Sequence, residues 1–266
     1  MHPFDYHRAE SLDQARDLLG RGEDALPLAG GMTLIPTLKQ RLAMPSDLVD
    51  LARIDDLKGI DAGGDALVIG AMTTHDEVAT SETVQARIPA LAHLAARIGD
   101  PAVRARGTLG GSIANNDPAA DYPGAVLGLG ATVITTDREI AADEFFLDMF
   151  ETALEEGELI TAVRFPVPAR AAYEKFPNPA SRYAVVGAFV AETRGGVRVA
   201  ITGAGPTVFR VPEMEAALAR DFRPEAIAGI SVPAAGLNAD IHASAEYRAH
   251  LVGVMARRAV ARAAPG

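Results

Sequence analysis

The residues best suited to chemistry are gathered in one stretch, 107–123, reading Gly-Thr-Leu-Gly-Gly-Ser-Ile-Ala-Asn-Asn-Asp-Pro-Ala-Ala-Asp-Tyr-Pro. A glycine pair stands between the hydroxyls of Thr108 and Ser112, and two asparagines and two aspartates follow it. Adjacent glycines let the backbone turn sharply and come close to a ligand. Asn116-Asp117-Pro118 reads as a helix entry, with Asp117 as N-cap and Pro118 at the first helical position. Donor-rich backbone running into a helix start suits a phosphate group. Arg104 and Arg106 lead into the stretch, where either could meet phosphate or pair with a nearby acid. A second Gly-Gly turn, Ala29-Gly30-Gly31-Met32-Thr33-Leu34, follows a short apolar run at 25–29.

These groups need elements to position them. Ser11 caps an expected helix over 12–19, stopped by Gly20 and Gly22. Strands are expected at 25–29 and 48–51, with a helix between them from Thr33 to Leu42. Residues 57–70 read as a β-hairpin turning at Ala62-Gly63-Gly64-Asp65. Thr74-His75-Asp76-Glu77 fits a capping box, and His75, lacking a second ligand at metal spacing, is expected to be structural. A helix over 89–98 leaves His93 toward solvent and ends at Asp100-Pro101, and 125–134 carries a helix into a buried strand. Residues 137–158 hold nine acids and one arginine, the pattern of a solvated face, before a strand at 159–166. Strands at 183–191 and 197–202 pair about Arg194-Gly195-Gly196, and Gly203-Ala204-Gly205-Pro206 reads as a plain turn. Helices follow at 212–219 and 245–264, the second turning Arg248, Arg257, Arg258 and Arg262 toward water or an acidic partner.

Other chemistry is missing. There is no phosphate-binding Gly-x-x-x-x-Gly-Lys-Ser/Thr loop, no Gly-x-Ser-x-Gly elbow and no His-Glu-x-x-His zinc pattern. The chain contains no cysteine, which excludes disulfides, thiol catalysis and an iron–sulfur cluster ligated by this chain. Two glycine turns without acid–base clusters point to a large phosphorylated cofactor that does the chemistry itself. With 266 residues, two or three domains around separate cores are expected. Residues 1–170 carry 14 Lys/Arg against 27 Asp/Glu and residues 171–266 carry 11 against 8, which supports a boundary near 170. A net charge of −10 argues against nucleic acid as a partner. Without an apolar run of about 18 residues or a signal-peptide pattern, no transmembrane segment and a cytoplasmic location are expected.

The two glycine motifs, in this order, with Tyr173-Glu174-Lys175-Phe176 and Ser181-Arg182-Tyr183-Ala184 downstream, resemble a known family across nearly the whole chain. It is the FAD-binding medium subunits of molybdenum hydroxylases, of the carbon monoxide dehydrogenase and xanthine dehydrogenase type. The resemblance implies an α+β fold. A two-lobed FAD-binding domain of the vanillyl-alcohol-oxidase (PCMH) type, lobes 1–56 and 57–170, is followed by an α+β C-terminal domain, 171–266. It implies FAD lying between the lobes, its pyrophosphate on the backbone of Leu28, Ala29, Gly30, Gly31, Met32 and Thr33 and of Thr108, Gly110, Gly111 and Ser112. Asn115 and Asp121 match nucleotide contacts, Asp121 accepting from a ribose hydroxyl, and Ile160 matches an apolar contact. Lys175 and Tyr183 match positions near the isoalloxazine, where a cation would favour the anionic reduced ring and an aromatic side chain would stack on it. No catalytic side chain and no metal ligand is implied on this chain. The implied partners are a molybdenum-cofactor large subunit and a [2Fe–2S] small subunit, as a dimer of heterotrimers. Electrons would pass from the clusters to FAD and on to NAD, a quinone or another acceptor. A stand-alone FAD-dependent oxidoreductase and a cofactor-free scaffold subunit are the alternatives.

Overall fold

The computed structural model describes residues 1–263, so Ala264, the expected end of the last helix, lies outside the described residues. The chain builds three main sheets in succession. The first is parallel, ordered Asp5–Arg8, Asp47–Asp50, Leu26–Leu28. Parallel neighbours need crossovers, and the helices Leu12–Leu19 and Leu34–Lys39 supply them. Ser11 caps the first of these, accepting from the Gln14 amide.

The second sheet is antiparallel, ordered Ile60–Gly63, Ala66–Gly70, Ile160–Pro166, Thr132–Thr135, Glu139–Ala141. Its apolar face, with Leu67, Ile69, Val133, Val163 and Phe165, is covered by short helices that bury Leu91, Leu94, Ile113 and Val126. The capping box at Thr74 and Glu77 starts the helix His75–Thr80. The helix Pro89–Ala96 ends at Arg97, short of the expected Asp100, which instead caps Pro101–Arg104 through the Val103 amide.

The third sheet is antiparallel, ordered Arg170–Pro177, Ala184–Thr193, Gly196–Thr202, Phe209–Arg210. The strand Ala184–Thr193 is covered on both faces, which explains its unbroken apolar run. The helix Ala245–Ala263 packs on one side, and Tyr122–Leu129 of the preceding unit lies on the other. Helix glycine Gly128 permits that approach, since a Cβ there would stand 2.7 Å from Phe189 Cδ1. The sheets change over between 166 and 170, yet Tyr173, Phe189 and Ala200 complete the core of the second sheet. Each sheet keeps a core cluster of its own, and only that of the second reaches across the changeover.

Three local expectations change. Asn116-Asp117-Pro118 opens no helix: Asn116, at φ +42°, closes the helix Leu109–Asn115. The Asp117 carboxylate instead accepts from the Ala119 amide, and the next helix begins at Tyr122. His93 is half-buried beside Arg97 rather than solvated. Arg248 points inward, donating to the carbonyls of Val185 (2.6 Å) and Gly203 (2.9 Å) and to Asp240 (2.7 Å). Strand-end carbonyls with no partner of their own favour such a buried guanidinium. Among the described residues no helix is long and apolar enough to cross a membrane.

Candidate functional site

The two glycine turns come from different sheets and meet. The first follows the strand Leu26–Leu28, and Gly31 adopts φ +71°, a conformation that favours glycine. The amides of residues 29–33 donate to no protein acceptor among the described residues. The second turn is itself a helix start. Thr108 caps Leu109–Asn115 through the Gly111 amide (3.2 Å), so the glycine pair lies in the first helical turn. Gly30 rests directly on the second turn: a Cβ there would run into the Arg106 carbonyl and stand 2.8 Å from Gly107 Cα.

Between the turns lies a cavity of about 630 Å³, within the range of small-molecule sites. Of the residues singled out from sequence, Ala29, Gly30, Gly31, Met32, Thr33, Thr108, Gly110, Gly111, Ser112, Asn115, Asp121, Ile160 and Tyr183 border it. Leu28 and Lys175 do not. Leu28 props the first turn from behind, its Cδ1 packed close under Gly31.

The donors differ from the expected set. In the second turn the Leu109 and Gly110 amides are spent on the carbonyls of Thr73 (3.0 Å) and Ala71 (2.8 Å), and that of Ser112 on Thr108 (3.0 Å). Gly110 is a glycine for packing, since a Cβ would stand 2.6 Å from that of Ala71. What this side can still offer is side-chain: among the described residues the hydroxyls of Thr108 and Ser112 and the side-chain amide of Asn115 donate to no protein acceptor. Asp121 is buried and already engaged, with the Tyr173 hydroxyl donating to Oδ1 and Lys175 Nζ to Oδ2 at 2.9 Å. Lys175 Nζ also donates to the Arg97 carbonyl at 2.9 Å, behind the cavity wall. Burial pushes the Asp121 carboxyl up and the Lys175 ammonium down, and each holds the other's charge. The ribose contact expected of Asp121 and the ring contact expected of Lys175 therefore compete with an internal pair. Tyr183 is 44% exposed and presents its ring at the wall.

Sequence reasoning missed two residues here. Arg182 is the one cation bordering the cavity among the described residues and forms no ion pair; its φ of +63° is strained for a non-glycine. His75 also borders it. Arg182 stood within the downstream motif Ser181–Ala184 without a role of its own, and His75 was expected to be structural.

Comparison with known proteins decides the family. Residues 2–168 match the model for the FAD binding domain in molybdopterin dehydrogenase, and residues 171–263 match that for the CO dehydrogenase flavoprotein C-terminal domain. The chain belongs to the flavoprotein subunits of the molybdenum hydroxylases. It is 40% identical to the carbon monoxide dehydrogenase medium chain of Afipia carboxidovorans, over 98% of this chain and 96% of that one. It is 35% identical to the 6-hydroxypseudooxynicotine dehydrogenase complex subunit alpha of Paenarthrobacter nicotinovorans, over 98% and 96%. Among solved structures it superposes on reconstituted CO dehydrogenase from Oligotropha carboxidovorans with a TM-score of 0.90 at 39% identity, covering 98% of this chain and 97% of that one.

An FAD-binding flavoprotein subunit needs room, phosphate donors and an aromatic or apolar wall, and the cleft has all three. The free amides of 29–33 suit a pyrophosphate, and Ile160 and Tyr183 supply apolar surface. One wall is braced by Glu158, which Arg138 grips through Nε and Nη2 at 3.0 Å each, while Thr135 Oγ1 and the Glu155 amide donate to it as well. These bonds, Arg138 foremost, hold the Glu158 carboxyl down at about 2 against an ordinary 4.5. Its stabilisation is therefore complete above pH 4.5 and lost as pH falls through 2. Glu158→Gln is expected to cost roughly 1–2 kcal/mol at neutral pH, discounted because Arg138 is open to solvent. Its unfolding curves should show a smaller loss of stability than wild type across that acid range.

Proposed function

We propose that this flavoprotein subunit holds FAD across the seam between residues 1–56 and 57–170, with 171–266 closing one wall, and relays electrons through it. The observation that carries this is the contact of the two glycine turns at Gly30 and Arg106–Gly107 around a single cavity. The unspent amides of 29–33 bind the pyrophosphate, and Thr108, Ser112 and Asn115 bind from the other side through their side chains. Gly111 lets that side come close to Ala29 of the first turn, Gly110 seats the helix start on Ala71, Ile160 meets an apolar part of the cofactor, and Tyr183 covers the ring. Leu28 supports the first turn, while Lys175 and Asp121 set the wall behind Tyr183.

Bound FAD would supply the redox chemistry between the [2Fe–2S] clusters of a partner chain and an external acceptor. The protein positions it and excludes water; no side chain here needs to act as a nucleophile. The similarity to a medium chain and to a complex subunit supports partners of the large molybdenum-cofactor and small iron–sulfur kinds. We assign the assembly as a dimer of heterotrimers in the cytoplasm.

Purified from its own cells, the chain is expected to show flavin absorbance in the blue and to co-purify with an iron–sulfur chain and a molybdenum chain. A colourless protein that ignores added FAD would sink the reading. Flavin without either partner would favour a stand-alone oxidoreductase.

A further inference from the structure

His75 lies against the second glycine turn. Its amide donates to the Gly107 carbonyl at 2.9 Å, and Thr74 and Thr108 form an isolated antiparallel bridge beside it. The side chain is only 5% exposed and borders the cavity. Nε2 lies alongside Gly107, where an added Cβ would stand 2.5 Å from it, and among the described residues no protein group bonds to it. On the other side of the ring Nδ1 is buried without a hydrogen-bond partner. So is the hydroxyl of Tyr122, whose ring centroid lies 5.2 Å from that of His75 at an interplanar angle of 50°.

Two orphaned polar atoms on adjacent buried rings are an uncommon expense in a core. The two do not bond to each other. A neutral imidazole has one N–H donor and one bare nitrogen. Nδ1 faces no acceptor, so the ring proton is better placed on Nε2, the nitrogen beside the cavity. Burial, with Arg104 nearby, depresses the His75 pKa to about 4, so the ring is neutral at ordinary pH, and burial keeps the Tyr122 hydroxyl protonated. The second turn has reason to need such a donor, because its own Leu109, Gly110 and Ser112 amides are spent within the protein.

We propose that His75 is a cofactor-binding residue, donating Nε2–H to an acceptor oxygen of FAD in the cleft. This rests on the reading that FAD occupies the cleft.

The test uses the full chain stripped of flavin and titrated with FAD, for wild type, His75→Phe and Tyr122→Phe. Flavin fluorescence gives the Kd, and thermal melting of the apoprotein gives the stability. His75→Phe is expected to weaken FAD binding about tenfold, the effect of one lost hydrogen bond. Tyr122→Phe is the control, expected to bind FAD within twofold of wild type with an unchanged apo Tm, since its hydroxyl has no partner to lose. In wild type labelled with 15N-histidine, the His75 signals should report the Nε2–H tautomer and shift when FAD is added. An affinity for His75→Phe within twofold of wild type overturns the proposal, whatever its Tm. So does a His75 signal that is unmoved by FAD, which decides the matter if His75→Phe does not fold. Wild type that binds no FAD overturns the underlying reading, an outcome distinct from both.

Discussion

Gly30→Ala is expected to strip the chain of FAD and loosen the contact between its first two lobes. The added methyl would overlap the Arg106 carbonyl and stand 2.8 Å from Gly107 Cα. Both are backbone, so no change of rotamer relieves the clash. The two turns must part, and the cavity they enclose loses its shape. Overpacking of this kind costs about 1–3 kcal/mol. The cofactor loses more, since the donors of 29–33 and those of Thr108, Ser112 and Asn115 sit on opposite sides of the seam and must act together. The ratio of flavin to protein absorbance after purification is expected to fall at least about tenfold, the effect of some 1.4 kcal/mol. Gly63→Ala is the control: nothing lies within 4 Å of its Cβ, and flavin content should not change. Full flavin loading in Gly30→Ala would show that the seam does not shape the site.

Lys175→Met is expected to damage stability before it touches the flavin. Lys175 and Asp121 are each 4% exposed and meet at 2.9 Å. Removing the ammonium leaves the carboxylate buried with only the Tyr173 hydroxyl, and breaking a buried pair in this way costs about 3–5 kcal/mol. Asp121, already raised by burial, loses the partner that draws its pKa back down. In the variant it therefore binds a proton more readily folded than unfolded, so the deficit should narrow as pH falls and widen as pH rises. Adding Asp121→Asn to Lys175→Met should recover part of the loss. Denaturant unfolding of the apoprotein between mildly acidic and mildly alkaline pH measures all of this. Unchanged apo stability together with an altered flavin potential would return Lys175 to a direct role at the ring.

Features whose partners lie within a few residues were legible in the sequence. The Ser11 cap, the Thr74–Glu77 capping box and the hairpin of 60–70 are decided by contacts three or four residues apart or across one turn. The cleft was legible as two glycine turns, because glycine is costly except where backbone must bend or come close. What escaped were choices among distant partners. Lys175 could have faced a ligand, but Asp121, 54 residues away, claims it. Arg248 has the composition of a surface arginine, yet carbonyls 45 and 63 residues distant draw it inward. Pro118 has the form of a helix start, but its carbonyl accepts from Gly203 and the chain stays in a turn there.

By itself, then, the sequence determined the kind of site: glycines that bring backbone close, hydroxyls to bind phosphate, no cysteine and no metal cluster motif to do chemistry of its own. It also determined the family, because two motifs in order and a third region downstream restrict the chain as no single turn does. Only the tertiary structure decided which atoms remain for a ligand. It committed the amides of 109, 110 and 112 to the protein, left those of 29–33 free, and brought His75 and Arg182 to the cleft. The reason is that a hydrogen-bonding group serves a ligand only if no better-placed partner has taken it, and those partners become neighbours only when the sheets have packed.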